Sequence, residues 1–120
     1  MKRVYVAGSY NAPNIVQALD NMRRGMRATV EVLLAGYAPF CPWTDHHYQL
    51  MKKENEIITR EMYQAQSMAW LEVSDAVLVL PNSENSGGTQ REIQRACDLG
   101  IPIFYRLVDL DEYMKSKRLK

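Results

Sequence analysis

Short apolar runs alternate along this chain with longer stretches in which apolar residues recur every three or four positions. Residues 3–7 (Arg-Val-Tyr-Val-Ala) are β-branched and aromatic and stop at Gly8 and Ser9, which predicts a buried first strand. Asn11 or Asn14 is placed to cap the next element, and Pro13 suits a first helical turn. Ile15, Leu19, Met22, Met26, Val30 and Leu33 then follow helical spacing, predicting a helix with one core-facing stripe that ends at Gly36. Residues 37–40 read as a short second strand and 41–47 as a long aromatic loop, while 48–58 are polar and ambiguous. A helix is predicted from Thr59 to about Val73, with Met62, Ala65, Met68, Ala69 and Leu71 as its apolar members.

The strongest strand is 76–80, apolar at every position, as a parallel strand covered on both faces requires, and Pro81 ends it. A polar loop over 82–88 leads into a helix running to Leu99 and closed by Gly100. A strand over 101–105 and a helix over 109–118 complete the chain. Strand–helix alternation of this kind predicts one α/β domain over 1–120, a Rossmann-like or flavodoxin-like three-layer fold with a parallel sheet of four or five strands. Ligands of such sheets sit beyond the carboxyl ends of the strands, where the strand order reverses. That draws attention to the loops at 8–11, 41–47 and 81–88.

Composition narrows the function classes. The chain has 120 residues, 47% hydrophobic and 24% charged, and a formal net charge of +1. A nucleic-acid binder would show a basic face, and the one basic cluster here, 115–120, reads as a solvated helix end. No nucleic-acid polymer is expected as a partner. No apolar run approaches the roughly 20 residues of a membrane span, and the apolar stretch within 1–8 is too short for a signal segment. Cys41 and Cys97 are too few and too far apart for a disulfide scaffold. A cytoplasmic location with two free thiols is the expectation.

The loop over 82–88 carries the candidate chemistry. Ser86, Gly87, Gly88 and Thr89 open a helix, and free amides at a helix start suit an anion or a sugar hydroxyl. Two adjacent glycines let a ligand approach the backbone. The segment is neither a Walker A loop nor a Gly-x-Gly-x-x-Gly dinucleotide motif. Glu92 lies one turn further on. Locally it has two readings: a carboxylate facing the ligand loop, or the closing member of a capping box with Thr89.

Asp75 followed by Ala76, Val77, Leu78, Val79, Leu80 and Pro81, then Ser86 six residues before Glu92, then Ala96 and Gly100-Ile-Pro-Ile, resembles the nucleoside 2-deoxyribosyltransferase superfamily, which includes the 2'-deoxynucleoside 5'-monophosphate N-glycosidases. The opening Tyr5-Val-Ala-Gly-Ser-Tyr10 is similar to that family's first strand and loop. Gly87-Gly-Thr-x-x-Glu92 is also similar, one glycine short, to the motif of cytokinin-activating phosphoribohydrolases. The resemblance implies cleavage of the N-glycosidic bond of a nucleoside or nucleotide, by hydrolysis or base transfer. It implies Glu92 as catalytic nucleophile, through a glycosyl-enzyme ester and an oxocarbenium-like transition state. Substrate contacts are expected from Gly8, Ser9, Tyr10, Asn11, Trp43, Asp45, Ser86, Gly87, Gly88 and Thr89. No cofactor is implied. A homodimer or larger homo-oligomer is, with the Met-rich helices as candidate interfaces.

Two positions depart from the family pattern. Ser67 stands where the family usually carries an aspartate that orients the sugar or handles the proton, and Asn11 stands where the phosphate-binding members carry an arginine. Asp45, His46 or His47 are the available substitutes for the first, and Ser9, Ser86 and Arg91 for the second. The missing aspartate also sustains an alternative, a non-catalytic nucleotide-binding or sensor relative. His46 and His47 match no zinc-ligand spacing and read as surface or pocket-wall residues, so no metal is expected. Trp43 reads equally as a stacking platform for a base and as a cover for the core edge. Tyr10 is balanced in the same way between ligand contact and loop packing.

Overall fold

Ala76–Val79 has no polar break, so it is at home only where both faces are covered. In the computed structural model it is β3, buried along its whole length. It pairs in parallel with β1 (Arg3–Ala7) on one side and with β4 (Ile103–Phe104) on the other, and β1 pairs in parallel with β2 (Ala38–Phe40). The structure describes residues 1–9, 12–81, 83–84 and 86–118. Among these the strands form one four-stranded parallel sheet of order β2-β1-β3-β4, the flavodoxin-like order with four strands.

Alternation along β1 and β3 divides the core into two layers. Val4, Val6, Ala76 and Leu78 face α1 (Ile15–Leu34) and α5 (Leu107–Arg118), meeting Met22, Val32, Leu110 and Met114. Tyr5, Ala7, Val77 and Val79 face α3 (Arg60–Glu72) and α4 (Gly87–Leu99), meeting Leu71 and Ala96. The expected punctuation holds. Asn14 accepts from the Gln17 amide at 2.9 Å, and Gly36 (φ 100°) and Gly100 (φ 72°) leave their helices in the left-handed region that glycine tolerates. At the amino end of the sheet the Arg3 amide donates to Asp75 Oδ2 at 2.7 Å and the Asp75 amide donates to the Arg3 carbonyl at 2.8 Å, fixing the β1–β3 register.

Three expectations change. The stripe Ile15, Leu19, Met26, Val30 and Leu33 does not face the core: Ile15 is 70% exposed and the other four lie between 37% and 52%. Of the predicted stripe Met22 is buried, and with Gly25 and Val32 it forms the core side of α1. Gly25 lets the helix settle close to Trp43. Residues 41–47 are not an open loop. Pro42–Asp45 forms a 3-10 turn that runs directly into α2 (His46–Met51), which begins the stretch that was ambiguous in sequence. The helix after β3 starts at Gly87 and not at Thr89, because its cap is Ser86.

Trp43, in that 3-10 turn, is 1% exposed. Its ring lies against Gly25 of α1, where a Cβ would come within 2.9 Å, and against Gly8 at the end of β1, where a Cβ would come within 3.1 Å. Trp43 therefore packs at the core edge, between α1 and the end of β1. Cys41 is buried and Cys97 exposed, both as free thiols, and burial pushes the Cys41 thiol up from its ordinary value. Among the described residues no helix is long and apolar enough to cross a membrane.

Candidate functional site

All four strands run the same way, so their carboxyl ends open on one side of the molecule. There the loops after β1 and β3, the 3-10 turn after β2 and the first turns of α3 and α4 enclose a cavity of about 800 Å³. That volume falls in the range of small-molecule sites, roughly 300–1,000 Å³.

Gly8 and Ser9 bring the end of β1 to the cavity, Asp45 the 3-10 turn, and Ser86, Gly87, Gly88, Thr89 and Glu92 the start of α4. Tyr10 and Asn11 lie outside the described residues. Thr89 is 2% exposed, and its hydroxyl donates to Ser86 Oγ at 2.9 Å. The same oxygen accepts from the Thr89 amide at 3.1 Å. This pair closes the helix start, so the Thr89 hydroxyl serves the cap. Trp43 also borders the cavity, although it is 1% exposed.

The two local readings of Glu92 separate here. The capping box would bring Glu92 back to the Thr89 amide, but that amide is satisfied by Ser86. Glu92 instead lies more than one turn inside α4 and lines the cavity. Its Oε2 is buried and without a hydrogen-bond partner. An unpartnered buried carboxyl oxygen is costly, and the cost appears in its titration. Burial pushes Glu92 up to about 7, opposed by the Tyr5 hydroxyl and the Arg91 guanidinium. The helix-start amides do not hold the carboxylate in its ordinary range.

Tyr5 was not legible as a site residue. In sequence it is a strand aromatic between two valines. In the fold it is fully buried, stacks on Phe40 with ring centroids 5.5 Å apart, and carries its hydroxyl to the carboxyl side of the sheet beside Glu92 and Ser67, within electrostatic reach of Asp45. Burial and the Glu92 charge push its ionisation far above the ordinary tyrosine value, so the hydroxyl stays a donor. It makes no hydrogen bond of full geometry in this structure. Its nearness to Glu92 nonetheless favours the carboxylate form of that residue.

Ser67 lines the cavity from α3, so the position of the missing aspartate is in the site and holds only a hydroxyl. The carboxylate that the fold brings to the same cavity is Asp45, from the segment after β2. His47 is exposed. Among the described residues no group of three or more His, Cys, Asp or Glu side chains converges as a metal site would need.

The sequence profile of a family described as a domain of unknown function, DUF7768, matches residues 2–106. Among curated proteins, none matches the chain. Among solved structures, the chain is similar to a 2-deoxyribosyltransferase from the psychrotolerant bacterium Bacillus psychrosaccharolyticus, at a TM-score of 0.62 and 16% identity over 84% of this chain and 69% of that one. It is also similar to a conserved protein from Enterococcus faecalis V583, at a TM-score of 0.66 and 16% identity over 86% of this chain and 61% of that one. The chain thus spans about two thirds of the length of these neighbours, and at such identity the likeness is one of fold.

Proposed function

We propose that this chain, which belongs to the DUF7768 family, cleaves the N-glycosidic bond of a nucleoside or nucleoside 5'-monophosphate with Glu92 as nucleophile. The observation that carries the reading is Glu92 itself: a buried carboxyl with an unpartnered oxygen, on the wall of the large cavity at the carboxyl ends of the strands. Structural ion pairs do not leave a carboxyl in that condition, whereas a group kept for a reacting atom has this environment. The fold shared with a 2-deoxyribosyltransferase points to the same chemistry.

In the proposed reaction a Glu92 oxygen attacks the anomeric carbon as the carbon–nitrogen bond breaks and the base leaves with a proton. The resulting ester is opened by water, giving hydrolysis, or by a second base, giving transfer. Tyr5 is a positioning residue whose hydroxyl favours the ionised form of Glu92. Asp45 is the candidate acid, taking the work that Ser67 cannot do.

The test is a panel of nucleosides and nucleoside monophosphates, with free base followed by chromatography for the native chain, Glu92→Ala and Asp45→Asn. The expected result is base released from at least one member, lost in Glu92→Ala and slowed in Asp45→Asn by roughly a hundredfold, the scale of general acid catalysis. A second reading, a nucleotide-binding relative without turnover, is favoured by the hydroxyl of Ser67 in place of a carboxylate. It predicts binding across the panel with no base released. Release at the native rate by Glu92→Ala would sink the nucleophile assignment.

A further inference from the structure

A second cavity, of about 580 Å³, opens on the other face of the sheet, between α1 and the start of α5. Among the described residues it shares only Ser9 with the first. Its apolar lining comes from Leu78, Leu80, Pro81 and Leu107, and Tyr105 stands beside them, 63% exposed. Leu78 belongs to the core layer under α1 and α5, and Leu80 and Leu107 pack against that layer. The core is thus open to solvent at the carboxyl end of β3, as a pocket for an apolar ligand body is.

The rim of this cavity is cationic. Arg23, Arg24 and Arg27 of α1 all line it. Arg23 and Arg27 lie four residues apart, where like charges on a helix oppose each other. Arg24 pairs with Asp20 at 2.9 Å and Arg27 with Glu31 at 3.5 Å. Among the described residues Arg23 forms no ion pair. Three guanidinium groups therefore meet two carboxylates, and the rim keeps one positive charge. The four paired side chains are between 48% and 67% exposed, and pairs so exposed add little to folding. Helix stability does not account for this crowding of arginines over an apolar lining. An anion at the mouth of the cavity does.

We infer that the groove between α1 and Tyr105 is a second binding site, for a ligand with a flat apolar body and a single carboxylate. A guanidinium fork offers paired donors that match the two carboxylate oxygens, and one excess positive charge is balanced by a monoanion. The body lies on Leu80, Pro81 and Leu107 and against the Tyr105 ring, whose exposed face suits a planar partner. A bare anion would leave the apolar lining wet, and a neutral ring would leave the excess charge to water. Glu92 and Asp45 line the other cavity, so the inference does not rest on the glycosidic reading.

The test is calorimetric titration of the full chain with three probes: 2-naphthoate, its neutral amide and acetate. Hydrogen bonds to charged groups are each worth roughly one order of magnitude or more in affinity. The naphthoate should therefore bind at least about tenfold more tightly than the amide, and acetate should bind more weakly than either. Arg23→Gln and Arg27→Gln should each weaken the naphthoate by about tenfold, and the double variant should bind acid and amide alike. Tyr105→Ala should weaken both aromatic probes by about fivefold. Glu31→Gln removes a carboxylate from the rim and should tighten the naphthoate by about twofold to fivefold. These side chains are exposed, and melting curves check that the variants stay folded. Equal affinity for acid and amide in the native chain, no binding of either, or an undiminished preference in the folded double variant overturns the site. Naphthoate binding that fades as the protein concentration rises gives the groove to a second copy of the chain, and overturns it too.

Discussion

Glu92→Gln is expected to abolish base release, by at least about a thousandfold as for other deleted nucleophiles, and at the same time to make the chain more stable at pH 8. The second effect follows from burial. Glu92 titrates at about 7 in the fold against an ordinary 4.5, so between these values the folded chain holds a proton that the unfolded chain has released. Stability therefore falls as pH rises from 4.5 to 7, and above 7 the full cost of a buried carboxylate is present, up to about 3 kcal/mol at 1.36 kcal/mol per unit. Glutamine removes that cost. The variant should melt roughly 10 °C above the native chain at pH 8, with the difference shrinking to a few degrees at pH 5. Melting scans at the two pH values check this, and equal melting temperatures at pH 8 would mean that Glu92 bears no such penalty.

The same titration sets the rate. A nucleophile must be ionised, so in Asp45→Asn, where the candidate acid no longer titrates, base release should rise with pH to a plateau beyond about 7. Tyr5→Phe takes away the hydroxyl that favours the carboxylate and should move that rise to higher pH. A rate that instead falls as pH passes 7 would make Glu92 a proton donor, the other role open to a carboxyl with a raised pKa.

Trp43→Ala is expected to cost 3–5 kcal/mol, a large part of the roughly 5–15 kcal/mol that holds a domain of this size together. The ring is among the largest fully buried side chains, wedged between α1 and the end of β1. Removing it opens a void next to the cavity wall. Gly25→Ala approaches the same contact from the other side. In an exposed helix interior alanine would be favoured over glycine by about 1 kcal/mol, but here the added methyl meets the Trp43 ring within 2.9 Å. Overpacking of this kind costs about 1–3 kcal/mol, so the net change should be destabilising. Urea denaturation of Gly25→Ala, Trp43→Phe and the double variant tests the contact. The smaller ring should accommodate the methyl and make the double variant more stable than the sum of the single effects implies. Strict additivity would show that the two residues do not compete for the same space.

What was legible in the sequence is what periodicity and local chemistry control. The apolar run 76–80, of which the first four residues form β3, the glycines at 36 and 100 and the Asn14 cap act through neighbours in the chain, and each appears close to where the pattern puts it. The face of α1 was not legible. Its most hydrophobic stripe points outward, while the sheet is met by a side containing Gly25, chosen for closeness to Trp43 and not for hydrophobicity. The site shows the same division. Ser86 and Glu92 come from one local motif and line one cavity. Tyr5 reaches Glu92 only because β1 lies beside β3 in the sheet, and Arg60 meets Arg91 only because α3 packs beside α4. No spacing along the chain encodes those meetings. The Ser86 cap could have been read in advance. A serine three residues before Thr89 is as good an N-cap as threonine, and placing the helix start there frees Glu92 from the capping box.

The most direct test of the central claim is the mass of the chain caught during turnover. A nucleoside monophosphate that releases its base should be mixed with the protein, quenched in acid within the first turnover and mapped by peptide mass spectrometry. The account predicts a rise of one sugar-phosphate unit on the peptide carrying Glu92, formed in step with free base and absent from Glu92→Gln. Base released in the first turnover with Glu92 unmodified would contradict it.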